Sequence, residues 1–134
     1  MLSFSVEDVS KTTAVAINVF ATAQAALPSF RDPVHKHNPK AFIVTGNIAP
    51  FEHNNFPTLF WSVGVQKTII ARLISNASKD YADSGIKFYF PSLVSEDGGI
   101  PNYFEEFKKS GQVHANVYWD LINNRGGHED WDFR

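Results

Sequence analysis

The chain has 134 residues, the size of one ordinary domain, and its 43% hydrophobic and 19% charged residues are typical of a globular protein. The formal charge of −2 gives no electrostatic reason to expect a nucleic acid or an anionic membrane surface as a partner. The absence of cysteine excludes disulfides, thiolate metal sites and a cysteine nucleophile.

The first predicted element is a long helix over Val6–Leu27. Ser5 and Asp8 form an approximate capping box, with a hydroxyl at the N-cap and a carboxylate three residues later. Small and apolar residues occupy several sides of this helix, which predicts close packing against more than one neighbour. We expect Pro28 to end the helix.

The next three elements are a strand, a helix and a second strand. Ala41–Thr45 is a short apolar run with β-branched residues, typical of a strand buried on both faces of a parallel sheet. A long helix is predicted over Leu59–Tyr81 and a strand over Ile86–Phe90. This order predicts a right-handed βαβ unit. The predicted fold class is therefore α/β, a partial Rossmann-like domain with few parallel strands flanked by long helices.

The rest of the chain is predicted to be mainly helical and to complete a single domain over residues 1–134. We expect a short helix near Tyr103–Lys109, a helix over Val113–Ile122 and a polar tail over Asn123–Arg134. Two or three parallel strands cannot cover both edges of their sheet, and an open edge favours unwanted pairing. The edge is therefore expected to be covered by the first helix, by a second copy or by a missing part of a larger protein.

Three segments of the chain contain polar residues that are candidates for a functional site. AINVF at 16–20 contains Asn18, FIVTGNIAP at 42–50 contains Asn47, and WSVGVQKTIIARLI at 61–74 contains Val63 and Lys67. These segments resemble the C-terminal half of the short-chain dehydrogenase/reductase superfamily, and poorly characterised fungal members most of all. In this resemblance Asn18, Asn47 and Lys67 match the asparagine, serine and lysine of the catalytic tetrad. Val63 stands where the family has its tyrosine.

The resemblance implies an NAD(P)-dependent oxidoreductase acting on small alcohols or ketones, with Lys67 also contacting the cofactor ribose. Val63 cannot exchange the proton that this chemistry requires. The glycine-rich turn that binds a dinucleotide pyrophosphate is also missing from the sequence. We therefore expect a truncated, degenerate member that is inactive alone, with no cofactor unless the missing half supplies the NAD(P) site.

The candidate site residues also have simpler interpretations. Asn18 could be a buried helical asparagine that bonds a carbonyl in a neighbouring strand. Asn47 could be a turn former that tolerates left-handed backbone, and Lys67 a solvated lysine. Tyr89 could replace the missing tyrosine only if the strand end turned it into the site.

Two further functions remain open at this stage. In the family, the helices that match Val6–Leu27 and Leu59–Tyr81 build a dimer, so a homodimer or partner-binding module is one alternative. A cofactor-independent enzyme, with Asn18, Asn47 and Lys67 lining a small-molecule pocket, is the other. His35 and His37 have no carboxylate partner at ligand spacing, so we expect no metal. The longest apolar stretches are interrupted by polar residues and too short to span a bilayer, and we recognise no signal peptide. We therefore expect a cytoplasmic protein that binds no membrane, and the net charge favours no nucleic acid partner.

Overall fold

The computed structural model describes residues 3–51, 58–102, 105, 107–123, 125 and 132–133. The described helices are α1 (Val6–Arg31), α2 (Trp61–Asp80) and α3 (Ser110–Ile122). The described strands are β1 (Ala41–Ile43), β2 (Lys87–Pro91) and β3 (Asp132–Phe133). The strands form one parallel sheet in the order β1-β2-β3. The predicted α/β, partial Rossmann-like class is confirmed.

Helix α1 begins at the predicted capping box. The amide of Asp8 donates to Ser5 Oγ at 3.1 Å, and the amide of Ser5 donates to Asp8 Oδ2 at 3.0 Å. The helix continues to Arg31, so the predicted end at Pro28 is wrong. Phe30 packs against the hydrophobic core, and this contact extends the helix beyond the proline. Tertiary packing here outweighs the main-chain hydrogen bond that proline cannot make.

Helix α1 packs chiefly on α2 and leaves much of its apolar surface uncovered. Thr12 and Ala16 are its buried residues, whereas Val6, Ile17 and Phe20 are 88%, 63% and 47% exposed. The prediction of close packing on several sides is therefore not met within the described part of this chain. The exposed apolar side chains need another partner or remain in contact with water.

Helix α1 also meets, by length and composition, the requirements for crossing a membrane. The sequence-based expectation that no segment of the chain could do so is therefore not supported for this helix. Core helices of soluble proteins and signal sequences meet the same requirements. The finding alone assigns no location.

The core lies between α2 and one face of the sheet. Ile70 and Ile74 of α2 pack with Phe88 and Phe90 of β2, and all four are nearly inaccessible to solvent. Side chains alternate across a strand, so Tyr89 lies on the opposite face of β2. Helix α3 contacts β1 and β2 from that second side. The helices thus cover both faces of the sheet, as in other parallel α/β folds.

The predicted βαβ unit is confirmed, with small changes at its ends. Strand β1 pairs in parallel with β2, joining Ala41 to Lys87 and Ile43 to Tyr89. The main-chain bonds continue past β1, since the amide of Val44 donates to the Tyr89 carbonyl at 3.0 Å. β1 is only half-buried, so the prediction of a strand buried on both faces is wrong. β1 is an edge strand of the described sheet, which explains its partial exposure.

The C-terminal elements differ more from the sequence-based predictions. The structure describes a short 3-10 helix over Phe107–Lys109, while part of the predicted Tyr103–Lys109 helix lies outside the described residues. Helix α3 begins three residues before the predicted Val113. The polar tail contains β3, which was not predicted and pairs with the end of β2. Most of the other tail residues lie outside the described residues.

Candidate functional site at the carboxyl edge of the sheet

The exit of β1 passes very close to the end of β2. The amide of Gly46 donates to the Pro91 carbonyl at 2.8 Å. A Cβ at position 46 would lie 2.7 Å from two ring carbons of Phe90 and would also collide with Ser92 Oγ. Glycine is therefore required here because the two backbones approach so closely. This approach brings Thr45 and Asn47, on either side of Gly46, to the carboxyl edge of the sheet.

Lys67 reaches this edge from α2. Its ammonium nitrogen donates to the main-chain carbonyl of Thr45 at 2.5 Å. The side chain is half-buried, and burial lowers the pKa of Lys67 because desolvation disfavours the charged form. Lys67 is thus a partly solvated lysine on the face of α2, with one main-chain partner. Val63 lies one turn earlier on the same helix and offers no group that exchanges a proton.

Asn47 forms a tight turn immediately after Gly46. Its side-chain oxygen accepts a hydrogen bond from the amide of Ala49 at 3.1 Å, which confirms the prediction of a turn former. The buried Ser92 donates through Oγ to the main-chain carbonyl of Asn47 at 3.2 Å. These two bonds engage the side-chain oxygen and the main-chain carbonyl of Asn47. Because its side-chain oxygen accepts within the turn, the amide nitrogen is the part of Asn47 that is suited to donate to a ligand.

Asn18 occupies a different environment from Asn47 and Lys67. It is exposed on α1, so the interpretation as a buried asparagine bonding a strand carbonyl is wrong. Its main-chain carbonyl accepts from Thr22 Oγ1 at 2.8 Å. Among the described hydrogen bonds, none joins the Asn18 side chain to Asn47 or Lys67. Its assignment to the site rests on the resemblance alone.

Tyr118 of α3 belongs to the same edge and was missed by sequence reasoning. Its hydroxyl and Thr45 Oγ1 form a hydrogen bond of 2.5 Å. The ring of His114 meets Tyr118 edge-on at 5.7 Å between centroids. His114 and Tyr118 are four positions apart, and this spacing places them on one face of α3. The spacing does not indicate which strand that face contacts. Thr45 therefore links α2, through its carbonyl, to α3, through its hydroxyl.

A small apolar cavity of about 170 Å³ lies beside this contact. It separates the exit of β2 from α3, and Val113 and Val117 form part of its wall. Ser92 and His114 contribute its polar side chains. The cavity is large enough for a few non-hydrogen atoms of an apolar group rather than for a large ligand.

Tyr89 is 1% exposed within β2, and desolvation raises the pKa of its hydroxyl. His35 contacts the side chain of Asn38, with 3.2 Å between Nδ1 and Nδ2. In the described ranges, no three histidine, aspartate or glutamate side chains lie close enough together to hold a metal ion.

The residues present do not fit the pyrophosphate of a dinucleotide. Such a group needs a glycine-rich turn whose amides, with a helix N-terminus, face the phosphates. No G-x-G-x-x-G pattern occurs in the 134 residues. The N-terminus of α1 is already capped by Ser5 and carries the carboxylates of Glu7 and Asp8, which would repel a phosphate.

The fold and the edge site together describe a parallel α/β domain with polar groups where its strands end. No family model matches the chain, and no solved structure matches it. The chain is similar to the short chain dehydrogenase/reductase dmxR12 of Cryptosporiopsis sp. (strain 8999), with 31% identity over 115 residues. The match covers 85% of this chain and 41% of that relative. The chain is thus related to a short-chain dehydrogenase/reductase and spans less than half of its length.

Proposed function

We propose that this chain corresponds to the C-terminal, substrate-side half of a degenerate short-chain dehydrogenase/reductase of the fungal type. It binds a small alcohol or ketone at the carboxyl edge of the sheet but performs no redox chemistry alone. NAD(P) would have to be bound by residues outside these 134. The contact that carries the proposal is the 2.5 Å hydrogen bond from the Lys67 ammonium to the Thr45 carbonyl. It supports a positioned lysine at the end of a parallel strand.

The proposed site must offer hydrogen-bond donors to the oxygen of a bound alcohol or ketone. Lys67 carries three N–H donors, and the bond to Thr45 uses one of them. The side-chain amide of Asn47 provides a second donor, held by the turn to Ala49. Such pre-positioned donors stabilise negative charge as it develops on a carbonyl oxygen. The hydroxyl of Tyr118 hydrogen-bonds Thr45 at this edge, and we propose that it orients Thr45 rather than exchanging protons with the ligand.

The proposal can be tested by amide NMR of the purified chain with cyclohexanone as the probe. We expect shifts concentrated at residues 45–47 and 67, and we expect Lys67→Met to reduce them at least threefold. Lys79→Met is the matched control because Lys79 is exposed on the last turn of α2. Shifts that survive Lys67→Met unchanged, or that lie elsewhere in the chain, would refute the assignment.

A second candidate function is a homodimer through α1 and α2. It is supported by the apolar residues that α1 leaves exposed, above all Ile17 and Phe20. An apolar groove of about 400 Å³ between α1 and α2 adjoins them, with Phe88 among its lining residues. A second copy would remove these side chains from water, at about 25 cal/mol per Å² of apolar surface.

Sedimentation velocity at micromolar concentration separates the two states of the chain. We expect the mass of two chains, and we expect Ile17→Lys to give the mass of one, since it places a charge in the apolar face. Ala25→Lys is the control, because Ala25 is exposed and lies about 80° around the helix from Ile17. A wild-type mass equal to one chain would contradict the dimer.

A further inference from the structure

A second cavity lies at the opposite edge of the sheet, where β1 and β2 begin. Its volume is about 320 Å³, and we call it the basic cavity. Lys40 immediately precedes β1 and Lys87 begins β2, and the amide of Lys87 donates to the Lys40 carbonyl at 2.9 Å. Because β1 and β2 are parallel neighbours, both lysines lie at the edge where the strands begin. Lys67 lies at the opposite edge, where the strands end.

The polar lining of the basic cavity is cationic. It includes three lysines, Lys36, Lys40 and Lys87, together with His37 and Asn38. No aspartate or glutamate lines it. Among the described residues, the ion pair that forms joins Lys11 to Glu7, and no described carboxylate lies within 4.0 Å of any of the three lysines. A quarter of the 12 basic residues of a chain with net charge −2 thus surround one cavity.

This clustering exceeds what protection of a strand edge requires. Single lysines on edge strands discourage unwanted pairing, but like charges gathered around one concavity repel each other. The end of α3 also reaches the cavity, where Leu121 and Ile122 provide an apolar wall. Two carbonyls of this last turn accept main-chain hydrogen bonds, Trp119 from the amide of Asn123 and Asp120 from that of Arg125.

We infer that the basic cavity binds a small molecule that carries a phosphate group. Lysine ammonium groups bind phosphate as point charges, and three of them more than balance an anion with two negative charges. The apolar wall of Leu121 and Ile122 suits a carbon skeleton attached to that phosphate. The volume fits a small ester and is at the lower end for ligand pockets. This site is separate from the edge that contains Lys67 and Asn47.

Isothermal titration calorimetry of the whole chain tests the inference with two probes, inorganic phosphate and phenyl phosphate. We expect both to bind at low ionic strength and phenyl phosphate to bind more tightly, because its ring contacts the apolar wall. The double variant Lys40→Gln with Lys87→Gln should weaken binding about tenfold or more, equivalent to about 1.4 kcal/mol. Lys108→Gln, an exposed lysine outside the cavity, should leave the affinity unchanged.

A second variant keeps the test valid if the strand substitutions disturb folding. Lys36→Gln with His37→Gln changes two exposed loop residues between the 3-10 helix Pro33–His35 and β1. It should weaken phenyl phosphate binding several-fold without changing thermal stability. Equal affinity of the wild type and both double variants would overturn the inference, as would the absence of binding at millimolar phosphate. Equal affinity for inorganic phosphate and phenyl phosphate would show that the apolar wall does not contribute to binding. That result would overturn the inference that the ligand is a phosphate ester.

Discussion

Replacing Gly46 with alanine should destabilise the chain through a collision with the core. The new Cβ would lie 2.7 Å from two ring carbons of Phe90 and would also meet Ser92 Oγ. Phe90 has no exposed surface, so its ring cannot move away without displacing its neighbours. Overpacking of this kind costs about 1–3 kcal/mol. We expect the free energy of unfolding to fall by about 2 kcal/mol, with the turn at Asn47 shifted.

Urea denaturation followed by circular dichroism measures this change, provided that the transition is two-state. Gly111→Ala is the matched control, because a Cβ at this position in α3 meets no atom within 4 Å. It should leave stability unchanged or raise it by up to about 1 kcal/mol, since alanine favours helix. A Gly46→Ala variant as stable as the wild type would refute the argument that β1 and β2 approach too closely for a side chain.

The remaining predictions concern the contacts that Thr45 makes. Burial lowers the pKa of Lys67 from 10.5, so folding favours its neutral form. The free energy of unfolding of the wild type, relative to that of Lys67→Met, should therefore rise with pH between the lowered pKa of Lys67 and 10.5. Urea titrations of the two proteins at matched pH values measure this difference. A difference that does not change with pH would contradict the burial of Lys67. The raised pKa of Tyr89 acts in the opposite sense above pH 10.0, but it is present in both proteins and cancels. Tyr118→Phe and Thr45→Val should each cost less than about 1 kcal/mol, and a double-mutant cycle should show the two changes to be coupled; strict additivity would exclude the hydrogen bond.

Local sequence patterns were sufficient for most of the fold. The capping box at Ser5 and the strand–helix–strand order depend on neighbours in sequence, and both are confirmed. The end of α1 could not be predicted, because Phe30 packs on a core assembled from distant segments. Strand β3 was missed for a related reason. Asp132 and Phe133 of the polar tail pair with β2 through main-chain hydrogen bonds. A pairing of only two residues produces no recognisable alternation of polar and apolar side chains.

The candidate site was only partly predictable. Lys67 and Asn47 were found through the resemblance, and the structure holds both against the exit of β1. Tyr118 was missed because its contact with Thr45 spans 73 positions and requires α3 to pack on the sheet. The basic cavity was missed likewise, since its lysines come together only when β1 and β2 pair. Asn18 is exposed, which separates its environment from that of the other two candidates.

The central claim is that these 134 residues carry a ligand-binding edge but no dinucleotide site. A fluorescence titration of the purified chain with NADH and NADPH tests it most directly. Outside the basic cavity, no saturable binding of either dinucleotide is expected up to millimolar concentration. Any phosphate-dependent association with the basic cavity is identified by its loss in Lys40→Gln with Lys87→Gln. Saturable binding of NADH that persists in this double variant and is weakened by Lys67→Met would contradict the account.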